Sequence, residues 1–179
     1  MYSSAYEHCF PLLLDIEGGR SDHPADPGKL TKYGISKLAY PEEDIENLTL
    51  ERAKFLIHRD YWTAIHGDAI NDRAIAFEML ETAFILDPRG YPVRATKIAQ
   101  GALILFGVNV TYDGLIGPET IAALNAYPHK RHLIKLMNGL QLLALILGAK
   151  GEAQIIDLVR KRLRHLQTFL RGWLRRISL

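Results

Sequence analysis

The sequence predicts an all-α, mainly helical protein. Three observations predict it: apolar residues recur at helical spacing in segment after segment, the segments open on residues that cap helices, and Gly- and Pro-rich stretches close them. The chain has 179 residues, 48% of them hydrophobic and 23% charged, so it can bury a core without covalent staples. Its single cysteine, Cys9, excludes an intramolecular disulfide and a multi-thiolate metal site, and fits a reducing compartment.

Ser4 and Glu7 have capping-box spacing, in which each side chain satisfies a backbone N–H at a helix start. Tyr6, Cys9, Phe10, Leu13, Leu14 and Glu17 then fall on one helical face. Pro11 predicts a kink, because proline removes a donor and crowds the preceding turn. Gly18-Gly19 ends this helix. Residues 20–34 read as a long ordered loop or a short hairpin, and a loop of that length is usually functional.

Thr49 caps a helix running to Trp62, with Ala53, Leu56, Ile57 and Tyr61 as its buried stripe. The next helix covers 72–86, with Ala76, Met79, Leu80 and Ala83 inward, and Asp87-Pro88-Arg89-Gly90 stops it. Further helices cover 93–106, a segment opened by Pro118, 130–148 and 152–174. The window 133–147 is the most apolar, but it contains Lys135, Asn138 and Gln141 and is shorter than the ~20 residues of a membrane span, so it is assigned to the core. The Pro-Arg-Gly-Tyr-Pro stretch at 88–92 divides the chain into lobes 1–90 and 91–179.

The net charge of +2 is unevenly spread. Residues 160–179 hold seven bases and no acid, against 15 bases and 20 acids elsewhere. The pattern places Leu158, Leu163, Leu166, Phe169, Leu170 and Trp173 inward and the bases in solvent; contact with an anionic partner is the functional alternative. No recognised nucleic-acid module accompanies this tail, so no nucleic-acid partner is assigned. The N-terminus lacks the basic start and small-residue cleavage site of a signal peptide, which predicts synthesis in the cytoplasm.

The chemistry points to carboxylates. Glu17 ends an apolar stripe on its buried side, and burial keeps a carboxyl protonated toward neutral pH, ready to protonate a leaving oxygen. Asp26 and Thr31 follow, and an acid, a second carboxyl and a hydroxyl facing one cleft are the kit of glycoside hydrolysis. The structural alternatives are a solvated helix-end Glu17, an Asp-Pro-Gly turn at Asp26 and a Thr31 that caps a short helix from Lys32. Tyr33, Tyr61 and Trp62 are either sugar platforms or core. Asp113–Thr120 is either a ligand-contacting loop or a turn leading into a helix. No His-Glu-x-x-His, nucleophile elbow or phosphate loop occurs, so neither metal nor cofactor is expected.

Glu17-Gly-Gly, Asp26-Pro-Gly-Lys-Leu-Thr31 and Tyr33-Gly-Ile-Ser resemble the signature of the secretion-activating N-acetylmuramidases, glycoside hydrolase family 108. Tyr61-Trp62, Asp113-Gly-Leu-Ile-Gly-Pro-Glu-Thr120 and Gly172-Trp173-Leu-Arg-Arg176 resemble later family elements in the same order. The resemblance implies a lysozyme-like N-terminal lobe with a motif loop or small hairpin, packed on a helical, peptidoglycan-binding-like C-terminal lobe. It implies cleavage of the β-1,4 bond after N-acetylmuramic acid, with Glu17 as catalytic acid, Asp26 and Thr31 assisting, and Gly18, Gly19, Tyr33 and Glu81 meeting substrate. It further implies peptidoglycan as partner and release by a holin-type membrane protein, with action in the periplasm or wall. Lys29 stands where the family has a second glycine, and Ile85 where it has asparagine on the groove helix. A non-catalytic wall-binding or assembly protein is the alternative.

Overall fold

The computed structural model describes residues 1–17 and 30–163, giving the backbone alone at Glu17 and over 149–163. In chain order the described elements are α1 (Ser4–Glu17), β1 (Thr31–Lys32), β2 (Ile35–Ser36), α2 (Leu50–Ile57), α3 (Arg73–Leu86), α4 (Val93–Leu105), α5 (Pro118–Ala126) and α6 (Lys130–Leu163). The mainly helical class is the one the sequence predicts. Helix α3 is central, with α1, α4 and α6 packed against it. One apolar cluster runs without interruption from Tyr6 on α1 to Ala144 on α6.

The start of α1 differs from expectation. The cap is Ser3, whose Oγ accepts from the Tyr6 amide at 3.2 Å. Glu7 does not fold back on the helix start but reaches Lys54 Nζ on α2 at 2.6 Å. The Lys54 side chain is mostly buried, and a shielded ammonium gains more from a carboxylate than a solvated backbone N–H does. The helix runs on through Pro11, which lies on the exposed face, where water can satisfy the carbonyl left without its donor. Tyr6, Cys9, Phe10 and Leu13 are buried as predicted.

Thr49 caps α2, its Oγ1 accepting from the Arg52 amide at 3.2 Å. After Ile57 the chain makes a π-turn, His58–Trp62. The wider turn adds one residue to the repeat, and so both Tyr61 and Trp62 face inward. The Trp62 indole donates to Asp68 Oδ1 at 2.8 Å. Gly67 lies flat against that ring, where a Cβ would come within 2.5 Å of it.

Asp72 caps α3 by accepting from the Ala74 and Ile75 amides, and Ala76, Met79, Leu80 and Ala83 are all fully buried. Asp87 both stops α3 and caps α4, accepting from the Arg94 amide at 2.8 Å and the Ala95 amide at 2.9 Å. One carboxylate thereby fixes the angle between the two helices and meets the positive end of α4.

The turn before α5 is organised by Gln100 on α4, which has no solvent exposure. Its Oε1 accepts from the Asp113 and Gly114 amides at 3.1 and 2.9 Å. Its Nε2 donates to Asp113 Oδ1 at 2.9 Å and Thr120 Oγ1 at 3.0 Å. Gly114 adopts φ +77, and a Cβ there would meet Val93 at 2.9 Å. Every polar residue of the Asp113–Thr120 element that Gln100 reaches is thus engaged in holding the turn. Gln100→Ala strands the buried Gly114 amide and the partly buried Asp113 amide, and a loss of roughly 2–3 kcal/mol is expected, read as a lowered urea midpoint with unchanged slope.

Helix α6 corrects the assignment of the 133–147 window. Leu133, Met137, Leu140, Gln141 and Ala144 are buried against α3 and α4, but Leu142, Leu143, Leu145, Ile146 and Leu147 are exposed. Among the described residues the helix has neighbours on one side only, so half of its apolar surface faces outward. Gly148, at φ 63 and ψ 179, then breaks the helix, and the break falls on the last residue of the predicted segment 130–148.

Candidate active site

The short sheet is a hairpin in which Thr31 pairs with Ser36 and Lys32 with Ile35. Its two-residue turn, Tyr33-Gly34, has φ of 55 and 74, the doubly positive backbone of a type I′ turn. The expectation that Thr31 caps a short helix from Lys32 is therefore wrong. The turn geometry matches the twist of paired strands, and fully buried Ile35 anchors the pair to the core. Tyr33 occupies a backbone region that side chains other than Gly and Asn rarely adopt. Lys32 Nζ lies 5.6 Å from the Tyr33 ring centre and donates to the Glu46 carbonyl at 3.1 Å. Thr31 and Tyr33 are both half-buried, at the rim of the core rather than within it.

Glu17 is the last residue of α1, so that helix carries the motif to its starting point. The side chain of Glu17, and Gly18, Gly19, Asp26 and Lys29, lie outside the described residues. Among the predicted site residues, then, the structure positions Thr31, Tyr33 and Glu81. Tyr61 and Trp62 are buried, which makes them core rather than sugar platforms.

Beside the hairpin lies an open depression of about 340 Å³ whose rim includes Leu30, Lys37 and the acidic run Glu42–Glu46. Three of its four carboxylates are engaged. Glu43 takes two bonds from Arg52, at 2.6 and 3.1 Å, Glu42 meets Arg89 at 2.6 Å, and Asp44 accepts from Asn47 at 2.8 Å. Those hydrogen bonds hold all three below their ordinary range. They remain ionised at neutral pH and cannot serve as proton donors there.

Glu81 lies on α3 and faces α6, where Gln141 Nε2 donates to its Oε2 at 3.4 Å. One turn earlier stands Glu78, 4% exposed, a residue that sequence reasoning passed over. Burial, with the nearby Glu81 charge, pushes its carboxyl up to about 8, against a hydrogen bond from Asn138 that favours the ion. Its Oε1 has no hydrogen-bond partner among the described residues. The signal was present in the sequence: α3 carries Ala, Ile, Phe, Met or Leu on nearly every side, and a helix apolar all round is covered all round. Ile85 packs against the core near the end of the same helix.

Two family models match the chain in tandem: glycosyl hydrolase 108 over residues 10–85, and the predicted peptidoglycan domain over residues 94–178. The structure of Brucella abortus SagA is similar over 97% of this chain and 98% of that chain, with a TM-score of 0.63 and 24% sequence identity. At that identity the likeness is one of fold, and it agrees with a helical lysozyme-like architecture. No curated protein sequence matches the chain. A region similar to glycosyl hydrolase 108 followed by one similar to the predicted peptidoglycan domain supports a peptidoglycan hydrolase.

Proposed function

We propose that the chain is an N-acetylmuramidase that cleaves the β-1,4 bond between N-acetylmuramic acid and N-acetylglucosamine. The observation that carries this reading is the span 10–85 of the hydrolase model, which contains Glu17, Asp26 and Thr31 in the motif's order. Glu17 gives its proton to the glycosidic oxygen as the bond to the anomeric carbon breaks. Water then adds at that carbon, positioned by Asp26 and by Thr31 on β1. Gly18 and Gly19 let the sugar approach the backbone, Tyr33 offers a ring at the hairpin tip, and Glu81 meets substrate from α3. The catalytic lobe is 1–90 and the wall-binding lobe 91–179. Action in the periplasm or wall follows, with release through a holin-type lesion. Among the described residues no helix is long and apolar enough to cross a membrane.

Mass spectrometry of peptidoglycan fragments after borohydride reduction tests the proposal. Fragments ending in reduced N-acetylmuramic acid are expected; reduced N-acetylglucosamine at the new ends would assign a different bond. A second reading, a wall-binding protein without catalysis, draws on Ile85, whose apolar side chain cannot hydrogen-bond a sugar. Retention on insoluble peptidoglycan without release of reducing ends would favour it.

A further inference from the structure

Where α6 packs on α3 and α4, Leu133, Met137, Leu140 and Ala144 are buried, and Gln141 is buried among them at 6% exposure. Asn138 and Gln141 stand three residues apart on α6, and Glu78 and Glu81 three apart on α3, so each pair shares one side of its helix. Two amides thereby meet two carboxyls. Asn138 hydrogen-bonds Glu78, and Gln141 Nε2 donates to Glu81 Oε2 at 3.4 Å. The pairs join the two matched regions, since both carboxyls lie within 10–85 and both amides within 94–178.

Stability does not call for a glutamine at 141. A buried amide recovers in its hydrogen bond roughly what it loses in leaving water, so an apolar side chain of the same length would serve the packing as well. What glutamine adds is direction. Glu81 is only half-buried, so part of it reaches the surface, and a glutamate there samples several rotamers unless a partner holds it. A donor seated in a packed seam holds it in one. We propose that Gln141 is a positioning residue: it keeps the Glu81 carboxylate oriented to accept a hydrogen bond from a hydroxyl or an acetamido N–H of the glycan. This rests on the reading of Glu81 as a substrate contact. Gln141 supplies no proton and touches no reacting atom, so its effect falls on binding rather than on the chemical step.

Steady-state hydrolysis of soluble, uncrosslinked peptidoglycan chains by the full-length protein tests it. Gln141→Met removes the donor and keeps nearly the same length and bulk. It is expected to raise KM roughly fivefold, the scale of one hydrogen bond, with kcat within about twofold of wild type and the melting temperature unchanged or higher. Glu81→Ala is expected to raise KM at least as much. The double variant Gln141→Met/Glu81→Ala should match Glu81→Ala alone, because the donor then has nothing left to hold. Glu78→Gln, at the neighbouring pair, should leave KM unchanged. A raised KM in Glu81→Ala beside an unchanged KM in Gln141→Met overturns the proposal alone. An unchanged KM in Glu81→Ala overturns it together with the reading of Glu81 as a substrate contact. Additive losses in the double variant, or a lowered melting temperature in Gln141→Met with KM intact, make Gln141 a structural residue and overturn it too. Should wild type bind the chains without cutting them, the same shifts are expected in Kd, so loss of the hydrolytic reading leaves the test standing.

Discussion

Glu17→Gln is expected to lower peptidoglycan hydrolysis about a thousandfold while leaving the melting temperature within a degree or two of wild type. The two side chains have nearly the same shape and volume, so the substitution itself adds no steric change. They differ in the one property the reaction uses, because an amide holds no proton it can give to a departing sugar oxygen. The proposed role needs a carboxyl that keeps its proton toward neutral pH, and a neutral amide replaces a neutral acid without adding charge. Release of reducing ends, measured beside calorimetry on the same samples, separates the two effects. Equal turnover by both forms would remove Glu17 from the mechanism and leave the wall-binding reading in its place. Loss of activity together with loss of folding would instead make Glu17 structural.

The helices were legible because their signals are local. Thr49 caps α2 where predicted, α3 begins within a residue of its predicted start, and the stripe Ala76, Met79, Leu80 and Ala83 is buried to the last residue. What escaped was what depends on neighbours far along the chain. Nothing within four residues of Glu7 announces Lys54, and so the capping box was a fair reading of local spacing that a cross-helix ion pair overrode. The π-turn after Ile57 changes the period in mid-helix and brings Trp62 inward beside Tyr61. Gln100 reads as a polar residue on an apolar helix, and its role emerges only when the 113–120 turn folds onto it. The hairpin shows the opposite balance. Tyr33-Gly34 has the backbone of the turn that closes hairpins, but tyrosine is an unusual first residue for it, and so local spacing left a short hairpin and a helix cap at Thr31 side by side. For the site itself, residue types and order were readable in the motif, whereas convergence is a property of three dimensions.

Glu78 provides the second large effect, and it lies in the pH dependence of stability. Its carboxyl sits at about 8 in the folded protein. In the unfolded chain it returns to the ordinary glutamate value of about 4.3. Below about pH 4 both states hold the proton, and Glu78 takes nothing from stability. Between about pH 4 and pH 8 the unfolded state releases the proton while the folded state keeps it, so stability falls as pH rises. Above about pH 8 the folded form ionises too and the loss stops growing. At ~1.4 kcal/mol per unit, the whole effect is on the order of a few kcal/mol. Glu78→Gln removes the titration. The variant should match wild type in urea midpoint near pH 4 and exceed it by roughly 2–4 kcal/mol near pH 8, and it should digest peptidoglycan as wild type does. Parallel stability curves for the two forms would mean that Glu78 is not held protonated between α3 and α6. Set beside Glu17→Gln, the result distinguishes two acids that sequence alone presents alike: one proposed to pass its proton to the substrate, and one whose proton is kept between α3 and α6.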